Sequence, residues 1–142
     1  MNGRGLLLLW NDIDAAVEPE YNRWHSREHV PERLTVPGIL AARRYAAIDE
    51  VATPACGAAL HSGLAGDNST PRQGGLPRYF TVYELASTAV LSSDPYLHLI
   101  RSPSPWSARM RPHFANVIRF ACHRMDSAGA GAGAGAGMAA II

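Results

Sequence analysis

The stretch Gly5–Asn11, which reads GLLLLWN, decides the fold of this chain. Nearly every residue in it is apolar, which predicts a strand buried on both of its faces. The stretch Arg78–Leu85, which reads RYFTVYEL, predicts a second such strand, because β-branched and aromatic side chains favour strands. Two further strands are predicted over Ile39–Ile48 and Phe114–Arg124.

Helical segments separate these strands. Glu18–Leu34 predicts a helix, since Pro19 suits the first turn and the carboxylate of Glu20 suits the positive end. Pro31 is expected to kink or end this helix, because proline lacks the backbone N–H that a helix interior needs. Shorter helical pieces are predicted over Thr88–Leu91, Asp94–Ile100 and Ser102–Arg111.

The resulting order is strand, helix, strand, strand, helices, strand. This order predicts an α+β fold, the ferredoxin-like βαββαβ sandwich, with a four-stranded antiparallel sheet and helices on one face. The helices cannot cover the second apolar face of that sheet, so another surface must. Two sheets packed face to face would do so, and we therefore expect a homodimer that forms an α/β barrel.

We expect one domain over residues 1–126, with a long loop at 49–77. The Ala/Gly-rich segment at 127–142 has little side chain to bury, which predicts a disordered tail. The first apolar run is too short for the core of a signal peptide, and no stretch reaches the roughly 18 apolar residues of a membrane span. The two cysteines stand far apart, so a reduced, cytoplasmic protein is expected.

All thirteen basic residues are arginine, and the chain has no lysine. Schiff-base chemistry, attachment of pyridoxal phosphate and a phosphate-binding P-loop lysine are therefore excluded. The net charge of +1 carries no signature of nucleic-acid binding, and neither a nucleic acid nor a membrane is expected as a partner. Any base must be a histidine or a carboxylate, and any fixed cation an arginine.

The densest group of chemically useful side chains lies in the predicted first helix. At 100° per residue, one face carries Tyr21, Trp24, Glu28 and Glu32. His25 lies beside this face, and His29 lies further round. A carboxylate beside aromatic rings is costly to bury unless it is paired. The candidate partners are Arg43, Arg44 and Arg78.

The run His25–His29 also matches the H-x-x-E-H pattern, which in metallopeptidases puts two imidazoles on a metal. No third-ligand motif follows it, and the domain is too short for such a peptidase. No metal site or tightly bound cofactor is therefore expected. A haem- or metal-binding protein that uses His25 and His29 is kept as an alternative.

The segment Trp24–Gly38, WHSREHVPERLTVPG, and the following Arg44-Tyr45 pair resemble the dimeric α/β-barrel superfamily. Within it, EthD-like proteins and a related group of small uncharacterised proteins are the most similar. The resemblance implies a ferredoxin-like protomer, a dimer and a pocket between sheet and helices. It also matches His29 to a histidine that faces the pocket, whereas His25 stands where a tyrosine is expected. Cofactor-free monooxygenases, lactone isomerases, polyketide cyclases and haem-active enzymes share this scaffold.

We therefore expect a small-molecule enzyme without a tightly bound cofactor. Its acid–base chemistry would be isomerisation, cyclisation or oxygenation of an aromatic, lactone or polyketide-like substrate. His29 is expected to act as general base or acid, Glu28 to orient it and Arg44 to stabilise negative charge. The expected substrate-binding residues are Tyr21, Trp24, His25, Tyr83 and Trp106. The alternative is a non-catalytic dimeric protein that binds a ligand or serves as an accessory.

Overall fold

The computed structural model describes residues 3–47 and 77–126. The loop predicted at 49–77, apart from Pro77, and the tail predicted at 127–142 lie outside these residues. The elements in chain order are β1 (Gly5–Ile13), α1 (Glu18–Trp24), a π-helical segment (His25–His29), α2 (Val30–Leu34), β2 (Ile39–Ala46), β3 (Tyr79–Leu85), α3 (Asp94–Arg101), α4 (Pro105–Met110) and β4 (Phe114–His123). Single 3-10 turns lie at Ala15–Val17, Thr88–Ser92 and Arg111–His113.

The four strands of the described residues form one antiparallel sheet in the order β2-β3-β1-β4. The apolar strand β1 lies at the centre, where Leu7 pairs with Tyr83 of β3 on one side and with Ala121 of β4 on the other. The register of β1 and β4 shifts between Trp10 and Asp12, which marks a bulge. The predicted ferredoxin-like α+β fold is confirmed.

The helices cover one face of the sheet through two apolar clusters. The first cluster joins Leu7, Tyr83 and Leu85 of the sheet to Val36 and to Tyr96 of α3. The members of the second are Tyr21, Trp24, Tyr79 and Met110. No helix in the described ranges is long and apolar enough to cross a membrane.

The first helix has the predicted extent, but its middle turn is π-helical. The Val30 N–H donates to the carbonyl of His25, five residues earlier, where an α-helix would use the residue four earlier. The widened turn comes directly before Pro31, which lacks an N–H and whose ring crowds the carbonyl of Arg27. The helix therefore does not end at Pro31 but continues to Leu34.

Gly38 joins the first helix to β2 with a backbone φ of 93°, in the left-handed region that favours glycine. A Cβ at this position would lie 2.6 Å from Cγ2 of Val90, so the approach is also too close for a side chain. The Gly38 carbonyl accepts from the Ala86 N–H at 2.8 Å, which fixes the end of β3 beside the start of β2.

The second face of the sheet carries the alternate side chains of the strands and is also apolar. On it Trp10 stacks on Phe80 with ring centroids 4.3 Å apart, and Phe120 meets Trp10 edge-on at 6.2 Å. Tyr45 extends the row, with its ring 6.0 Å from that of Phe80. Phe120 is 48% exposed, so this row reaches the surface of the chain.

Candidate functional site

A cavity of about 350 Å³ lies between the sheet and the first helix. Its apolar lining comes from both the sheet and the helices, with Leu7 and Leu9 on β1 and Trp24 on α1 among its members. The polar side chains and tyrosines of the lining are Asn11, His25, His29, Arg33, Thr81, Tyr83, Tyr96, Arg111 and Arg119. Cavities of this size, about 300–1,000 Å³ and mostly apolar with a few polar groups, are typical small-molecule sites.

The π-helical segment sets which side chains reach this cavity. Helical periodicity predicts Glu28 on the face of Tyr21 and Trp24 and His29 further round, and the structure differs. The wider turn brings the rings of His25 and His29 to 5.1 Å from each other, both against the cavity. Glu28 does not line it. The difference arises because each π turn contains more residues than the 3.6 assumed.

His29, which lines the cavity, has a buried ring nitrogen without a hydrogen-bond partner among the described residues. This nitrogen is Nδ1. Burial holds the pKa of this imidazole well below its ordinary value, and the nearby His25 and Arg33 lower it further. The ring is therefore neutral at pH 7, the form that can accept a proton.

Tyr83 also lines this cavity and has the second unsatisfied group. Its hydroxyl is buried, with no hydrogen-bond partner within the part of the chain that the structure describes. Burial raises the pKa of the Tyr83 phenol far above its ordinary value, so the group keeps its proton and is a hydrogen-bond donor. A neutral base and a protonated phenol thus line one small apolar space.

His25 is 5% exposed and forms part of the cavity wall. Burial lowers the pKa of its imidazole to about 3, and the positive charge of Arg44 adds to the effect. Its ring contacts Tyr21 and Trp24, with centroids 5.7 Å and 5.8 Å away. The ring is uncharged at pH 7 and contributes a neutral, partly aromatic wall.

Glu28 points away from the cavity, toward the start of α4. Its carboxylate accepts from the hydroxyls of Ser104 and Ser107, the latter at 3.4 Å. Hydroxyls rather than the expected arginine therefore satisfy this carboxylate. The Ser107 Oγ in turn accepts from Trp24 Nε1 at 3.2 Å. Since Trp24 packs against His29 with ring centroids 4.5 Å apart, Glu28 reaches His29 only through this chain.

Arg44 also lies outside the histidine cavity. Its Cζ is 4.6 Å from the ring centroid of Tyr21 and 4.3 Å from that of Tyr79, and NH2 donates to Oδ1 of Asn22 at 2.7 Å. It lines a second, open hollow of about 740 Å³ together with Glu18, Asn22 and Tyr79.

The predicted substrate-binding residues also divide into those that line the histidine cavity and those that do not. Trp24, His25 and Tyr83 line the histidine cavity with His29. Tyr21 is fully buried behind it, where its hydroxyl donates to Oδ1 of Asn11 at 3.1 Å. Trp106 lies elsewhere, and its Nε1 donates to the Glu20 carboxylate at 3.0 Å.

Sequence reasoning missed the arginines of the cavity, which are Arg33, Arg111 and Arg119. Two had a detectable signal. Arg33 lies one helical turn after His29, and Arg119 pairs with Leu9, whose neighbour Leu7 belongs to the buried face. Arg111 had none, because it lies in a 3-10 turn whose direction depends on packing.

Glu28, which would activate water in the H-x-x-E-H pattern, is turned away from the two imidazoles. Within the described ranges, no three or more side chains of His, Cys, Asp or Glu are grouped so as to hold a metal ion.

No protein-family model and no curated protein matches the sequence. Among solved structures, HapK from Hahella chejuensis is similar, with 13% identity, a TM-score of 0.49, and coverage of 89% of this chain and 98% of HapK. The haem degrader MhuD from Mycobacterium tuberculosis, solved with two haems in its active site, has 16% identity and a TM-score of 0.50. That match covers 88% of this chain and 99% of MhuD. The likeness to MhuD supports the ferredoxin-like α+β fold, while the dimeric α/β-barrel and EthD-like resemblances stay predictions.

Proposed function

We propose that this chain is a small-molecule enzyme that transfers a proton on an enolisable aromatic or lactone-like substrate, without a tightly bound cofactor. One observation carries the proposal: Nδ1 of His29 and the hydroxyl of Tyr83 are buried, have no hydrogen-bond partner among the described residues, and belong to side chains that line the same cavity. A buried polar group without a partner costs about 1–3 kcal/mol. A substrate that bonds to both groups recovers that energy.

The proposed step is removal of a proton from the carbon beside a carbonyl. His29 Nδ1 takes the proton, and the electron pair of the broken C–H bond moves to the carbonyl oxygen to give an enolate. The Tyr83 hydroxyl donates a hydrogen bond to that oxygen and stabilises the charge as it develops. Return of the proton to the same or another carbon gives exchange or isomerisation.

The other predicted residues support this step from outside the reacting atoms. Trp24 and His25 shape the wall on which the substrate rings pack. Glu28 is a positioning residue, since it holds Ser107, which holds the Trp24 indole against His29. Arg44 acts through its charge, which lowers the pKa of His25 and His29 and favours their neutral forms.

We propose that the working unit is a homodimer that joins the second faces of two sheets. Phe120 supports this, because it is 48% exposed at the end of the row that it forms with Trp10 and Phe80, and an exposed aromatic side chain on a sheet is stabilised when a second sheet covers it. A cytoplasmic location and an EthD-like relationship are kept as predictions of the sequence.

The test uses 2-tetralone, a two-ring ketone that enolises at the benzylic carbon beside its carbonyl. The protein is incubated with it in deuterium oxide, and loss of the benzylic proton signal is followed by NMR. We expect exchange well above the buffer rate in the wild type and about 100-fold less catalysis in His29→Gln. The matched control is His98→Gln, since His98 is exposed on α3 and lies outside the cavity.

Exchange that is equal in the wild type and His29→Gln would show that His29 is not the base. Binding of 2-naphthol, a planar mimic of the tetralone enol, without any catalysed exchange would favour the alternative of a non-catalytic ligand-binding protein.

Haem binding is the second candidate, because a neutral imidazole such as His29, whose Nδ1 has no partner in the described part of the chain, is the form that ligates iron. A cavity of about 350 Å³ favours a compact one- or two-ring molecule over a macrocycle. A haem titration followed by absorbance, in the wild type and His29→Gln, separates the two: a His29-dependent spectral shift would support the haem protein.

A further inference from the structure

We propose that the ligand of the histidine cavity is an anion, an aromatic or bicyclic carboxylate held by Arg33, Arg111 and Arg119. This inference names the substrate class of the site and so rests on the proposed function for the chemistry. Its argument uses different residues from those that transfer the proton.

Arg33 is the strongest observation, because a guanidinium is rarely buried as deeply as this one. It is 6% exposed and lies one turn beyond His29 on α2. Across the described chain, its polar contact is Glu32 Oε2, 3.5 Å from NH1. A guanidinium carries five N–H donors, so this one contact leaves most of them for a ligand.

Two further cations line the same cavity: Arg111, from the 3-10 turn that follows α4, and Arg119, from β4. Arg111 NH1 donates to the Ile100 carbonyl at 3.2 Å, and Arg119 NH2 donates to the Tyr96 hydroxyl at 3.5 Å. Both partners are uncharged. Neither contact therefore neutralises the positive charge that these side chains bring.

The lining of the cavity contains no acidic side chain within residues 3–47 and 77–126. Burial keeps His25 and His29 neutral, so the three arginines leave a net positive cavity with apolar walls. Arg111 and Arg119 are exposed, so solvent screens part of the repulsion among the three charges, and an anion bound beside the buried Arg33 lowers what remains.

A carboxylate suits this arrangement better than other small anions. Its two oxygens lie in a plane and match the fork of a guanidinium, and such charge-assisted bonds are about twice as strong as neutral ones. The apolar walls around Leu7, Leu9 and Trp24 take the rings that carry the carboxylate. The chain has no lysine, so arginine is also the only side chain that supplies this charge at all pH values.

Three probes of one shape test the inference by calorimetry: 2-naphthoate, 2-naphthamide and 2-naphthol. We expect 2-naphthoate to bind at least about tenfold more tightly than 2-naphthamide, since the two differ in charge but hardly in size. Arg111→Gln and Arg119→Gln should each reduce that preference several-fold. Arg109→Gln is the matched control, because Arg109 is exposed, pairs with Glu20 and does not line the cavity.

Arg33→Lys complements these variants, as it keeps the charge but loses the planar fork, and it should weaken 2-naphthoate selectively. Equal affinities for naphthoate and naphthamide, or a preference unchanged in both glutamine variants, would overturn the inference. A different result would contradict the proposed function: 2-naphthol binding or tetralone exchange that is the same in His29→Gln as in the wild type. Preference for naphthoate without catalysed exchange would support the anion site and contradict the proposed enzymatic function.

Discussion

The imidazole of His29 packs on the indole of Trp24 with ring centroids 4.5 Å apart, and the indole N–H is tied to Ser107. Ser107 Oγ lies 3.4 Å from the Glu28 carboxylate, so a hydrogen-bonded chain runs from a carboxylate to the wall of the cavity. This chain places the ring of His29 without contacting its nitrogen. Positioning of this kind fixes the direction of a base and leaves its lone pair for the substrate.

Ser107→Ala is expected to break that chain. Trp24 Nε1 then loses its acceptor inside the core, and a buried donor without a partner costs about 1–3 kcal/mol of unfolding free energy. Urea unfolding measures the loss, and NMR of the Trp24 indole N–H reports the broken bond. Ser102→Ala is the control, because Ser102 is exposed at the end of α3. An unchanged indole resonance in Ser107→Ala would contradict the assigned contact.

His25→Gln is expected to reduce the loss of stability at acid pH. The pKa of His25 is about 3 in the folded chain, against about 6.5 for an unperturbed imidazole. Below about 6.5 the unfolded chain takes up a proton that the folded chain does not, so this stabilising difference is complete above pH 6.5 and is lost as the pH falls toward 3. The loss amounts to about 2 kcal/mol at pH 5.

Urea unfolding between pH 7.5 and pH 5 measures this slope, in a range where most carboxylates stay charged. The slope should be smaller in His25→Gln and unchanged in His123→Gln, since His123 is exposed at the end of β4. A wild-type stability that is flat over this range would show that His25 is not buried as a neutral ring.

The topology could be predicted from the sequence because each strand has its own composition. The apolar run of β1 and the aromatic run of β3 differ clearly from the helices, which begin with a proline in the first turn. Once strands and helices are told apart, their order along the chain predicts the topology of the sheet. The site was harder to predict because it depends on the single π turn at His25–His29. A period of 100° per residue assigns Glu28 to the buried face, and one extra residue in a turn reverses that result.

Arg44→Gln is expected to raise the pKa of His25, because the Arg44 charge is one of the two causes that lower it. Burial is the larger cause and persists, so the pKa should rise but stay below its ordinary value. The variant also loses cation–π contacts to Tyr21 and Tyr79, worth about 0.5–2 kcal/mol each. NMR titration of His25 and urea unfolding measure the two effects.

The neighbouring residue supplies the control for that experiment. Arg43 is exposed and lies on the opposite face of β2, so Arg43→Gln removes the same formal charge without touching the aromatic pair. If Arg43→Gln and Arg44→Gln shift the His25 titration equally, the effect comes from net charge, and the packed position of Arg44 has no special role.

Phe120→Asp is expected to convert the proposed dimer into monomers. Phe120 is 48% exposed and edges onto Trp10, so in the dimer an aspartate here would bury an unpaired charge between two sheets. Sedimentation or native mass spectrometry should show half the wild-type mass with an intact circular dichroism spectrum. Leu34→Asp, a change of similar exposure (42%) on α2, should leave the mass unchanged. Because the histidine cavity lies on the other face of the sheet, the monomer should still bind 2-naphthol. A monomeric wild type would contradict the barrel arrangement.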